Sequence, residues 1–146
     1  RSGDMSPAEL TCVDTSAWIE YLRNSAHPVV KQTRELVVAA RVCLADVVGG
    51  ELFQGVRQTR ERAVIEDIVE TLPLLTGTVE TWKTAGQLSA RLRAEGKTIH
   101  LIDCYLASLA QEHGAALLTC DGHFTRLHAA LPHLNVRVVC PANSVT

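Results

Sequence analysis

The chain has 146 residues, with 14 lysines and arginines against 16 aspartates and glutamates, a formal net charge of −2 and 47% apolar residues. This balance describes one ordinary globular domain and excludes a disordered or fibrous chain; such a length can bury roughly 68–70% of its extended surface without disulfide or metal staples. The slight acidic excess argues against a protein that coats nucleic acid by bulk positive charge, and no apolar run reaches the ~18 uncharged residues of a membrane span.

Arg1-Ser2-Gly3-Asp4 ahead of Met5 reads as an expression scar, residues 5–140 as a single domain, and 141–146 as a frayed tail, with no signal peptide evident. A short apolar run at 10–13 predicts a first strand, and Asp14-Thr15-Ser16 supplies turn and N-cap chemistry before a helix over 17–23. Pro28 suits the first turn of a second helix over 29–41. A strand follows at 42–44, then a helix capped by Asp46 and running to about Thr59, another helix over 60–72, and a short strand at 73–75. An amphipathic helix over 79–95 ends at Gly96, and a nearly all-apolar helix over 101–113 is closed by Gly114. Residues 115–119 read as a buried strand and 135–140 as a last one between Pro132 and Pro141. Strands alternating with helices imply a three-layer α/β/α sandwich around a central parallel sheet, in which ligands sit beyond the carboxyl ends of the strands.

Four carboxylates stand out in that frame. Asp14 directly follows the first predicted strand and Asp121 follows the fourth, so both fall at one rim of a parallel sheet; the bland reading makes each a capping or turn aspartate. Asp103 is the only charged Asp, Glu, Lys or Arg between Lys97 and Glu112, on a helix apolar nearly all round. It borders the buried face, where an unpaired charge is costly; its bland reading is a first-turn acid at a helix N-terminus. Glu51 lies at the edge of the stripe Val48, Leu52, Gly55 and Val56. The three glycines Gly49, Gly50 and Gly55 each cost a helix about 1 kcal/mol relative to alanine, which close packing near Glu51 would justify and a loop would avoid. Converging like charges need a cation. All-oxygen ligation points to Mg²⁺ or Mn²⁺ and to metal-dependent phosphoryl chemistry.

The remaining chemistry-bearing residues invite duller readings. Cys12, Cys43, Cys104, Cys120 and Cys140 are odd in number, lack a C-x-x-C pair and read as small buried hydrophobes in a reducing cytoplasm. The histidines show no ligand spacing, and His123 reads as a solvated loop residue. Trp18, Trp82 and Tyr105 fall on apolar helical faces and read as core. Arg57, Arg60, Arg62, Arg91, Arg93 and Lys97 fall near helix ends, where they could grip phosphates but fit solvated faces equally well.

The order of motifs is itself informative. Cys12-Val13-Asp14-Thr15-Ser16, Gly50-Glu51-Leu52, Ile102-Asp103-Cys104-Tyr105-Leu106-Ala107 and Thr119-Cys120-Asp121-Gly122-His123-Phe124 resemble the PIN-domain family, particularly its VapC-type ribonuclease toxins. The resemblance spans nearly the whole chain and implies a PIN-like fold and a Mg²⁺- or Mn²⁺-dependent endoribonuclease of the bacterial cytoplasm. It also implies an RNA substrate, a small cognate antitoxin, a homodimer and no membrane partner. Asp14, Glu51, Asp103 and Asp121 match the family's catalytic, metal-binding acids. Thr15 and Thr119 match its hydroxyl positions. His123 stands where many relatives carry a further aspartate, which leaves one firm metal site.

Two other readings stay open at this stage. One is a PIN-like module of weak catalysis that binds RNA or protein. The other is a phosphoacceptor receiver or dehalogenase-type phosphatase, disfavoured because Ser16 stands where the phosphatase pattern wants a second aspartate. Setting the four rim acids aside leaves 12 acids against 14 bases, so the net −2 largely describes the candidate site.

Overall fold

The computed structural model describes residues 10–141. The expected scar at 1–4 and all of the expected tail except Pro141 lie outside the described residues. Five strands form one sheet: β1 (Thr11–Val13), β2 (Val42–Ala45), β3 (Leu74–Leu75), β4 (Ala116–Thr119) and β5 (Val136–Val138). Their order is β3-β2-β1-β4-β5 and every pairing is parallel. The helices α1 (Thr15–Leu22), α2 (Val29–Val38), α3 (Asp46–Gln54), α4 (Thr59–Thr71), α5 (Val79–Ala94) and α6 (Leu101–Glu112) connect them, with a 3-10 helix over Gly122–Leu127 after β4. This is the expected three-layer α/β/α arrangement. A parallel sheet covered on both faces needs strands without alternation, and β2 accordingly reads Val-Cys-Leu-Ala with all four residues buried.

The topology locates a candidate site. From β1 the chain moves outward to β2 and β3, then returns through α5 and α6 to place β4 on the other side of β1. The strand order therefore reverses between β1 and β4, and a crevice opens beyond their carboxyl ends. The backbone N–H of Asp14 donates to Leu118 O at 2.9 Å, which clamps the ends of these two strands side by side.

Several boundaries differ from the sequence expectations, each for a local reason. The helix expected over 29–41 stops at Val38, because Ala40 turns into the left-handed region at φ 57° and Arg41 N–H donates back to Leu36 O. Glycine is the usual residue there, so no stop signal was visible. The helix expected from Asp46 to Thr59 is α3 alone; Gln58 caps α4 through a reciprocal box with Glu61. The last strand is confined to three residues, and the 3-10 helix after β4 was not anticipated. Gly96 and Gly114 do end their helices, at φ 80° and 69°, with Lys97 N–H returning to Leu92 O and Ala115 N–H to Ala110 O.

Asp46 is not the cap it was expected to be. Ala45 holds that position, and Asp46 is the first residue of α3. Its carboxylate accepts the Val47 N–H of the first turn (2.7 Å) and also the Tyr105 hydroxyl (2.9 Å to each oxygen) and the Gly77 N–H (3.2 Å). A Cβ on Gly77 would overlap the Tyr105 hydroxyl and come within 2.9 Å of its ring carbons, so this glycine is required. Gly49, Gly50 and Gly55 are not crowded in this way: the nearest atom to a Cβ at any of them is 3.6 Å away, and the expectation of close packing around Glu51 fails. Trp18 and Tyr105 are core residues, whereas Trp82 is 40% exposed and stacks face to face on Tyr105 at 3.9 Å. Cys12, Cys43 and Cys104 are buried, Cys120 is half-buried and Cys140 is exposed; all five are free. Among the described residues no helix is long and apolar enough to cross a membrane.

Candidate active site

The four acids arrive at one rim from four separate segments: Asp14 from the end of β1, Glu51 from the middle of α3, Asp103 from the first turn of α6, and Asp121 from the residues after β4. Asp14 holds the N-cap position of α1, yet its side chain makes no capping bond. Thr119 Oγ1 donates to Asp14 Oδ2 at 2.6 Å, and Ser16 Oγ donates to the same oxygen at 2.8 Å. Thr15 Oγ1 donates to Glu51 Oε1 at 2.6 Å, tying α1 to α3. Both hydroxyls singled out in the sequence thus hold carboxylates.

Ser16, which the sequence does not mark as a site residue, is central to this network. Besides reaching Asp14, its hydroxyl accepts the Cys120 N–H at 3.1 Å and lies 3.4 Å from Thr119 Oγ1. The hydroxyl two residues after Asp14 was the available signal. Its partner across the crevice lies more than a hundred positions away in sequence.

Asp121 combines the bland and the functional readings. It caps the 3-10 helix, with Oδ1 accepting the His123 N–H at 2.9 Å and lying 2.7 Å from His123 Nδ1. His123 itself is exposed, as expected of a loop histidine, but it is tied to Asp121 rather than free in solvent.

Asp14 and Asp103 register the charges of the other rim acids. Burial pushes the Asp14 carboxyl above the ordinary aspartate range against the pull of the Thr119 and Ser16 hydroxyls, and the charge of Asp121 pushes the same way. Asp103 is pushed up to about 6, first by desolvation and then by Asp14, Asp121 and Glu51 in turn; His100, at the N-cap of α6, opposes the shift. Among the described residues no lysine or arginine is ion-paired with any of the four. A cup of mutually repelling hard-oxygen donors is chemically suited to a divalent cation. No three His, Cys, Asp or Glu side chains among the described residues meet as a ready ligand set.

A groove of about 550 Å³ opens beside Glu51, lined by Ile19, Leu22, Leu52, Val56 and Val64 and rimmed by Arg23, Arg57 and Glu61. It runs between α1, α3 and α4.

The PIN-domain sequence profile matches residues 11–129, and the chain belongs to the PIN-domain family. It is 32% identical over 117 residues to the ribonuclease VapC11 of Mycobacterium tuberculosis, an alignment that covers 77% of this chain and 87% of that protein. Among solved structures it resembles VapBC2 from Rickettsia felis bound to a promoter DNA fragment, with a TM-score of 0.69 at 17% identity over 88% of this chain and 98% of that one. It also resembles VapBC-5 from Mycobacterium tuberculosis, a member of the VapBC family of toxin–antitoxin systems, with a TM-score of 0.60 at 20% identity over 90% and 98% of the respective chains.

Proposed function

We propose that this protein is a Mg²⁺- or Mn²⁺-dependent endoribonuclease, the toxin of a toxin–antitoxin pair. The observation that carries the proposal is the convergence of Asp14, Glu51, Asp103 and Asp121 at the β1/β4 crevice, where burial first and then the charges of the other three acids push Asp103 up to about 6. The ribonuclease relative supports the choice of RNA over other phosphate esters.

Asp14 and Asp103 would hold the ion directly or through water, with Glu51 and Asp121 completing the acidic cup. Bound there, such an ion supplies compensation for charge developing on the phosphoryl oxygens and acidity to a coordinated water. Thr119 and Ser16 both donate to Asp14 Oδ2 and so fix the rotamer of this carboxylate. Thr15 occupies Glu51 Oε1 and leaves Oε2 to orient the attacking water and accept its proton. Asp121 is less available for this role because Oδ1 already carries the two His123 contacts.

Purified protein should cleave single-stranded RNA when Mn²⁺ or Mg²⁺ is added and stop when the ion is chelated. Asp14→Asn should keep the fold and lose both ion binding and cleavage. Full activity of that variant with Mg²⁺ would sink the assignment. The apolar groove beside Glu51 suits a helical or extended segment of a small inhibitory partner, in keeping with the toxin–antitoxin neighbours. Val64→Glu, in the exposed wall of that groove, should weaken such a partner while RNA cleavage stays unchanged.

A further inference from the structure

A second concavity, of about 310 Å³, lies between the carboxyl end of α5 and the 3-10 helix. Arg91, Lys97 and Arg126 line it together with Glu95, over a floor that includes Leu92 and Ala129. Three cations against one acid give this small surface an excess of positive charge in a chain whose net charge is −2. They also come from three separate segments. Arg91 stands in the last turn of α5, Lys97 just past the Gly96 stop, and Arg126 in the last turn of the 3-10 helix.

None of the three is firmly committed elsewhere. Lys97 Nζ is 3.8 Å from Glu95 Oε1 in a solvent-exposed pair, a geometry that contributes little. Arg91 reaches the Ala130 carbonyl at a long 3.4 Å, and among the described residues the Arg126 guanidinium makes no hydrogen bond or ion pair. Cations in the last turn of a helix are favoured by its dipole, which accounts for one on each helix. That effect does not account for three meeting around one concavity. Arg93, equally close to the end of α5, lies outside it.

The place of this concavity in the fold links it to the acid rim. Arg126 rides on the 3-10 helix that Asp121 caps, and that helix packs on α6. Lys97 lies in the short segment that leads into α6, six residues before Asp103. We propose that Arg91, Lys97 and Arg126 form a phosphate subsite that grips the RNA backbone at a nucleotide flanking the one cleaved. The subsite rests on the ribonuclease reading and adds what the acid cup lacks, a positive anchor that offsets the repulsion between four carboxylates and a polyanion. Glu95, the acid among the lining residues, offsets part of the positive charge of the concavity.

The test compares the full chain with Arg126→Ala, Lys97→Ala and the double variant on a 5′-fluorescein-labelled single-stranded RNA with Mg²⁺, across a salt series, after thermal melting has shown each to be folded. The double variant should raise KM about tenfold with kcat within about twofold, and the slope of log affinity on log salt should shrink by about 0.7 for each lost contact. Arg126→Lys should restore most of the affinity, and Glu95→Gln should lower KM. If the wild type cleaves RNA and the double variant matches its KM and salt slope, the subsite falls and the nuclease reading stands. A loss confined to kcat also overturns it. If the wild type binds the RNA without cleaving it and the double variant loses that binding, the nuclease reading falls and the subsite stands.

Discussion

Asp14 and Asp46 occupy the same kind of place in the chain and come to opposite ends. Each directly follows a strand of the sheet, β1 and β2 respectively, and each opens a helix. The Asp46 carboxylate is surrounded by neutral donors, the Val47 N–H, the Tyr105 hydroxyl and the Gly77 N–H, and ties α3, α6 and the loop after β3 into one unit. Tyr105 registers the partnership: burial first, and then the Asp46 carboxylate, push its phenol up to about 12. Asp14 also receives two hydroxyls, yet it is buried at the rim with Asp121 adding repulsion, and the same rim acids act on Asp103. An acid that its surroundings satisfy serves as a strut. An acid that its surroundings leave in conflict is available to a cation or a substrate, and structural cost at such a place points to function.

Substitution separates the two regions most sharply through activity. Asp14→Asn should reduce RNA cleavage by about 10²-fold or more while leaving the melting temperature unchanged or higher, since it removes a strained charge. Asp46→Asn should do the reverse, lowering the melting temperature while cleavage per folded molecule stays within about twofold. Equal loss of cleavage in both would erase the distinction. Within the strut, Gly77→Ala forces a methyl group against the Tyr105 ring and should cost about 1–3 kcal/mol in chemical denaturation. Tyr105→Phe keeps the ring but takes a donor from the Asp46 carboxylate, at about 1–2 kcal/mol with cleavage intact.

The smallest effect is the pH dependence of the rim itself. The Asp103 carboxyl titrates near 6 when folded and near 3.8 in an unconstrained chain, so the folded state holds its proton more tightly. Its contribution without divalent ions is therefore most favourable below about pH 4, declines as the pH rises through about 6, and levels off above that. Asp103→Asn should flatten this part of the melting-temperature profile, and Mg²⁺ should stabilise the wild type more at pH 7 than at pH 5. A wild-type profile that matches the variant between pH 4 and 7 would mean that Asp103 is not under strain.

Much of the fold was legible along the chain because its signals are local. Gly96 and Gly114 announce helix ends through a backbone conformation that other residues rarely adopt, and the largely apolar run Cys104–Ala110, interrupted by Ser108, matches the buried run observed in α6. Boundaries were misread where the stop was made by a less usual residue, as at Ala40, or by a reciprocal cap, as at Gln58 and Glu61. The four acids could be picked out because a charge beside a strand end or within an apolar helix is conspicuous. Ser16 was passed over because a serine after an aspartate is ordinary until Cys120 is folded against it. The partnership of Asp46 with Tyr105 was likewise invisible, since nothing local to either residue requires the other.

By itself, then, the sequence determined the alternation of strands and helices, the family and the identity of the acids at the strand ends, since periodicity, helix stops and residue order are properties of the chain read in line. Only the tertiary structure decided which aspartate became a strut and which stayed in conflict, that Thr119 joins Ser16 in holding Asp14, and that Arg91, Lys97 and Arg126 share one concavity. Those outcomes depend on contacts between segments far apart in the chain. The energy of a buried charge is set by the donors and charges packed around it, and packing brings them there only when the sheet closes.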